Sequence, residues 1–177
     1  MTAMWTGSGY SKAMTNEEQR ALGLPTYKRF YLFKHEPDNR ETLCYDGAMF
    51  RVPDNCIHDF GSGLEYTQGI PILRRWFSRD SYPRSVVLHD AAYSGTSNDE
   101  LYDMAPNLAQ VGTRHQLWIS VDNGDTWVAT PVSRELADEL LRIGILAEGG
   151  PRWVAWTYHK AVRLFGRFVW DDGIVED

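Results

Sequence analysis

The spacing of apolar and polar residues changes period several times along the chain, and each change predicts an element. Residues 1–14, MTAMWTGSGYSKAM, are rich in Gly, Ser, Thr and Met and have no period. They read as an arm without a core of its own. Thr15 and Glu18 stand at capping-box spacing, where the hydroxyl accepts from the helix and the carboxylate reaches back. A short helix is expected to run to Gly23, with Pro25 as its stop. Tyr27 to Lys34 (YKRFYLFK) is built of strand-forming residues. ETLCYDGAMFRVP then predicts two short strands around Asp46-Gly47, a hairpin signal. Together these predict a small antiparallel N-terminal sheet.

Beyond residue 58 the period lengthens. HDFGSGLEYTQG (58–69) reads as a glycine-bearing loop, and IPILRRWFS (70–78) as a short helix with Pro71 in its first turn. YPRSVVLHDAAY (82–93) predicts a second helix starting at Pro83, and residues 94–115 read as loop. LWISVDNGDTWVAT (117–130) predicts a hairpin turning at Asp122-Asn123-Gly124. Ser133 is placed to cap a helix whose apolar stripe is Leu136, Leu140 and Leu141. Gly149-Gly150-Pro151 ends it and opens a last helix, PRWVAWTYHKAVRLFGRFVW, apolar around most of its circumference and so either central or an interface. The expected class is α+β: the small sheet, then a bundle of about four helices with an inserted β-hairpin. The expected organisation is an arm with a capping helix over 1–26, one α+β domain over 27–170 carrying the hairpin at 117–130, and an acidic tail at 171–177.

Composition narrows the classes. The 177 residues suit one domain, and 43% hydrophobic content is enough for a core. A net charge of −6 argues against a binder of nucleic-acid backbones. No segment has the length and apolarity of a membrane span, and the N-terminus has no signal-peptide pattern. The expectation is therefore synthesis in the cytoplasm. Cys44 and Cys56 can form at most one bridge and read as free thiols in a reducing compartment. Aromatic content is high at 13%, and aromatics anchor both cores and interfaces. Trp5 and Tyr10 on the arm, Trp118 and Trp127 on the hairpin, and Trp156 and Trp170 at the C-terminal end are the interface candidates. They allow for homo-oligomers or other partner proteins.

The candidate chemistry centres on His89-Asp90-Ala91-Ala92-Tyr93. On a helix His89 and Tyr93 share a face, and Asp90 points about 100° away. A neutral imidazole is a suitable general base for water, and the carboxylate of Asp90 is a candidate ligand for a divalent cation. Asp138 sits at the margin of the apolar stripe, where a half-buried carboxylate needs a partner such as a histidine on a facing helix. Asp59, in the loop Asp59-Phe60-Gly61-Ser62-Gly63, is a candidate ligand for Ca²⁺ or Mg²⁺. Each pattern has a plainer reading: hydrogen bonds at a helix end, a solvated Asp, a loop tied to its own backbone. The run Ser120-Val121-Asp122-Asn123-Gly124-Asp125-Thr126-Trp127 fits the Asp-box of β-hairpins, where it is a structural turn. The order His58, His89-Asp90, Asp138 mimics that of metal phosphohydrolases, but that fold needs its first His on a helix. His35, His115 and His159 have no partner at metal-ligand spacing.

Several of these residues occur together in a known pattern. Val52, Pro53, Asp59, Phe60, Ser62, His89, Asp90, Tyr93, Ser133, Arg134, Ala137, Asp138 and Ala161 to Gly166 resemble, in order and in several spacings, the phage-associated domain-of-unknown-function family numbered 1353. The resemblance spans residues 41–170, with Gly63-Leu64 in place of the family's proline and an insertion between Tyr93 and Ser133. It implies a tailed-phage protein with phage structural proteins as partners: a virion or tail-associated component, made in the infected host and assembled into the particle. The H-D-x-x-Y helix followed by A-D-x-L also resembles bacterial phospholipase A2. That likeness implies a hydrolase in which His89 activates water, Tyr93 and Asp138 orient the imidazole, and Asp90 and Asp59 hold Ca²⁺.

Overall fold

The structure is a computed structural model and describes residues 3–24, 26–27, 29–52, 56–58, 81–93, 116–166 and 170. In chain order the elements are β1 (Met4–Thr6), β2 (Gly9–Ala13), α1 (Asn16–Ala21), β3 (Tyr31–His35), β4 (Thr42–Tyr45), β5 (Ala48–Arg51), β6 (Ile57–His58), α2 (Pro83–Tyr93), β7 (Gln116–Ser120), β8 (Val128–Pro131), α3 (Arg134–Ala147) and α4 (Arg152–Phe165). The class is α+β, as expected. The helix expected over 70–78, the loop carrying Asp59, the insertion before β7 and the acidic tail lie outside the described residues.

The described residues form two sheets. The five-stranded one runs β1-β4-β5-β7-β8 and the three-stranded one β2-β3-β6, with every pairing antiparallel. The β4–β5 turn has positive φ at both Asp46 and Gly47 (53° and 77°), the hand that matches the strand twist. The arm expectation is corrected: the first residues are strands of both sheets. Met4 pairs with Cys44 and Trp5 with Leu43, while Gly9 to Ala13 pair with His35 back to Tyr31. Polar, glycine-containing sequence hid this, because the pairing partners lie 18 to 40 residues away and leave no local period. The hairpin is corrected too: it is not an insertion in a helical bundle, since β7 pairs with β5 and completes the larger sheet.

Local chemistry explains the elements that were legible. Thr15 accepts from Glu18 N–H at 3.1 Å, and the Glu18 carboxylate accepts from Thr15 N–H at 2.7 Å, closing the capping box. The Asp-box works as a turn. The Ser120 hydroxyl donates to Asp122 at 2.6 Å, Asp122 accepts from Thr126 N–H at 2.9 Å, and the Trp127 indole donates to Gly124 C=O at 2.9 Å. The Ser120 hydroxyl and then the Thr126 amide hold the Asp122 carboxyl down at about 2. Both cysteines are free, and burial, with the charge of Asp90 second, pushes the Cys56 thiol up to about 12.

One core joins the layers. Phe33 comes from the small sheet, and Leu43, Phe50 and Leu117 from the large one. Val86, Val87 and Leu88 on α2, Leu140, Leu141 and Ile145 on α3, and Val154 and Tyr158 on α4 complete it. Each fully buried Leu among them contributes roughly 1.5–3 kcal/mol. His35 links the sheets: its Nδ1 faces the Glu41 backbone N–H at 3.0 Å and its Nε2 faces the Val52 carbonyl at 2.7 Å. An N–H can only donate and a carbonyl can only accept, so the ring is neutral with its proton on Nε2.

Helix α2 is the centre of the molecule, buried from Ser85 to Ala92. Its first turn carries no acidic residue, and the cap comes from another helix. Glu148, at the C-cap of α3, accepts from Ser85 N–H at 2.8 Å and Arg84 N–H at 3.4 Å, and from the Ser85 hydroxyl. A carboxylate at a helix N-terminus satisfies free amides and the helix dipole together. The helices approach closely here, since a Cβ on Gly144 would fall 2.6 Å from Ser85 Oγ. Arg84 binds Glu41 Oε2 at 3.3 Å and donates to Gly7 C=O at 3.4 Å. Burial outweighs that arginine and raises the Glu41 carboxyl to about 7.

Candidate functional site

The other end of α2 carries His89 and Tyr93, one turn apart, with ring centroids 4.2 Å apart. Asp138 faces them from the second turn of α3. Its helix starts where Ser133 caps it, the hydroxyl accepting from Leu136 N–H at 3.2 Å. Leu140 and Leu141 turn that face of α3 into the core and carry Asp138 in with them. The half-buried carboxylate expected at the stripe margin is in fact fully buried.

Two side chains meet one oxygen of that carboxylate. His89 Nε2 lies 3.3 Å from Asp138 Oδ1, and the Tyr93 hydroxyl donates to the same oxygen at 2.5 Å. The second oxygen faces Arg163 Nη1 of α4 at 3.6 Å. A carboxylate accepts, so Nε2 carries the imidazole proton when the ring is neutral, and Nδ1 is left as its basic nitrogen. Arg163 gives the buried charge a counter-charge whichever form the imidazole takes. Burial, then the bond to Asp138, pushes the Tyr93 hydroxyl up, which keeps it a donor.

Burial is graded across the pair. The Asp138 side chain has 0% of its surface exposed and the His89 side chain 11%. The carboxylate is fully buried, and the imidazole keeps only a small exposed fraction. Trp170 meets Tyr93 edge to face at 4.8 Å, and a Cβ on Gly166 would collide with the Tyr93 hydroxyl. Arg134 donates to the Arg163 carbonyl at 3.5 Å, and Arg163 pairs with Glu135 at 2.9 Å, tying the start of α3 to the end of α4.

The structure thus brings together His89, Tyr93 and Asp138 of the expected residues. Asp90 is buried on another side of α2, close enough for its charge to raise the Cys56 thiol. Asp59 lies outside the described residues. Among the described residues no group of three or more His, Cys, Asp or Glu side chains is placed to hold a metal ion. His58 sits in a strand and meets the Ser11 hydroxyl at 2.9 Å, and with His89, Asp90 and Asp138 it forms no group placed to hold a metal, so the phosphohydrolase order does not assemble.

The aromatic candidates separate. Trp5 donates to Gly144 C=O at 3.2 Å, Trp127 lies under Arg51 at 3.7 Å, and Trp170 packs on Tyr93: all three are partly buried with partners inside the chain. Trp118 is partly buried in β7, and Tyr10 and Trp156 are exposed. Sequence reasoning gave no role to Arg163, Gly166 or Trp170 at this site. Only the packing of α4 on α3 delivers them, and no spacing along the chain encodes it.

No family profile, no curated protein and no solved structure matches the chain.

Proposed function

We propose that this protein is a hydrolase whose general base is His89. The observation that carries this is the graded burial of the pair: a sealed, counter-charged Asp138 holding Nε2 of an imidazole that still reaches the surface. In that geometry Nδ1 takes a proton from water as the water oxygen bonds to an acyl carbon. Asp138 stabilises the imidazolium, which returns the proton to the leaving alkoxide as the ester C–O bond breaks. Tyr93 acts as a positioning residue, because its hydroxyl fixes the oxygen that the imidazole also uses. Carboxylic esters of lipids or of the cell envelope are the substrate class, in keeping with the phospholipase-like order of His89, Tyr93 and Asp138. No step is assigned to a metal ion.

The test is hydrolysis of p-nitrophenyl esters and of dispersed phospholipids, with chelator and with added Ca²⁺ or Mg²⁺, by wild type and His89→Gln. The proposal expects turnover by wild type, loss of it in the variant, and a Tm that moves by only a few degrees. Equal turnover by the two proteins overturns it.

A second reading has its own support. A tailed-phage virion component, assembled with other phage structural proteins, needs no turnover, and the complete burial of Asp138 also suits a brace between α2, α3 and α4. It expects His89→Gln to lower Tm, no hydrolysis by either protein, and a fixed copy number in purified particles.

A further inference from the structure

We propose that the outward face of α4 docks on a membrane surface bearing anionic lipid headgroups. One side of this 14-residue helix buries Val154, Ala155 and Tyr158. The other side leaves large apolar side chains in solvent: Trp153 is 51% exposed, Trp156 58% and Leu164 62%. At about 100° per residue, positions 153, 156, 160 and 164 fall within roughly 80° of one another. Exposed apolar groups scattered singly need no explanation, but a stripe along one helix does.

Charge selects the occupant. The segment RWVAWTYHKAVRLF contains no Asp or Glu, in a chain of net charge −6. Arg163 is taken up by Glu135 and Asp138. Arg152 and Lys160 form no ion pair with a described residue, and the Lys160 ammonium lies 5.6 Å from the centre of the Trp156 ring. Lys160 stands in the middle of the stripe, between Trp156 and Leu164. A dry protein interface is depleted of lysine at its core. A headgroup layer accommodates this arrangement: the lysine stem lies along apolar surface, the ammonium reaches phosphate, and indole rings sit at the boundary. No described helix is long and apolar enough to cross a bilayer, so the contact is in the surface plane. Two residues beyond Leu164, Gly166 abuts Tyr93 of the candidate site. Binding itself does not depend on His89 being a base.

The experiment is co-sedimentation of the full chain with vesicles of phosphatidylcholine alone or with about a third phosphatidylglycerol, alongside tryptophan emission. The proposal expects binding to the anionic vesicles, a blue shift on binding, and weakening by salt. Trp153→Ser with Trp156→Ser should lose at least about tenfold in partitioning, and Lys160→Glu about tenfold or more. Both sites are exposed, so unchanged circular dichroism is expected. His89→Gln should bind as wild type, which separates this result from the test of hydrolysis. Absence of binding to anionic vesicles, or equal binding by the tryptophan and lysine variants, overturns the proposal. So does a self-association or partner complex abolished by Trp156→Ser without any vesicle binding.

Discussion

Helix α3 delivers a carboxylate to each end of the buried helix α2, and the two carboxylates keep different company. Glu148 meets the amides of Arg84 and Ser85 and the Ser85 hydroxyl. Those groups donate and cannot take a proton at ordinary pH, so this end is a cap and a brace. Asp138 meets an imidazole, a phenol and a guanidinium. Of these partners the imidazole alone has a second nitrogen able to accept a proton, which is what the proposed hydrolysis would use. Burial does not separate structure from chemistry here; the partners do.

The contrast can be broken at either end. The largest expected effect is at the His89 end: His89→Gln should lower ester hydrolysis on the order of 10³-fold, while thermal unfolding shifts by a few degrees. A matching loss of stability would make that end a brace like the other. Next comes the pH dependence at the Glu148 end, which runs through the neighbouring Glu41. Its folded-state carboxyl is raised from 4.5 to about 7. The stability it contributes is therefore present below pH 4.5 and is lost as pH rises through 7. The size is roughly 3 kcal/mol at 1.36 kcal/mol per unit. Glu41→Gln should flatten the stability curve across that window and leave the protein more stable than wild type above it, read by urea unfolding at several pH values.

Glu148→Ala should then cost about 2 kcal/mol, from unpaired amides at the start of α2, measured by denaturant unfolding. Hydrolysis per folded molecule should stay near wild type. Smallest is Tyr93→Phe, expected to cost about 1 kcal/mol for one hydrogen bond and to change kcat more than KM. An unchanged kcat would remove Tyr93 from the positioning role.

Much of this was legible in the sequence wherever the determining forces are local. The Thr15–Glu18 capping box, the Asp46-Gly47 turn, the Asp-box and the caps and breakers around α3 are all written within a few residues. The His89–Tyr93 face follows from helical spacing alone, and Asp138 stood out as a carboxylate on an apolar margin. What was missed is non-local. Trp5 belongs to the core because Leu43 pairs with it and Gly144 accepts its indole N–H. Asp90 is buried on the Cys56 side because α2 is covered nearly all round. Arg163 reaches Asp138 only through the docking of α4 on α3.

The proposed hydrolysis requires that Asp138 hold the proton of His89 on Nε2 and leave Nδ1 as a base. Long-range ¹H–¹⁵N correlation of the His89 ring, at a pH where the ring is neutral, reads this directly. The expected result is a protonated Nε2 and a bare Nδ1, with the preference weakened in Asp138→Asn. A wild-type ring with its proton on Nδ1 would contradict it, because no basic nitrogen would then be turned away from Asp138.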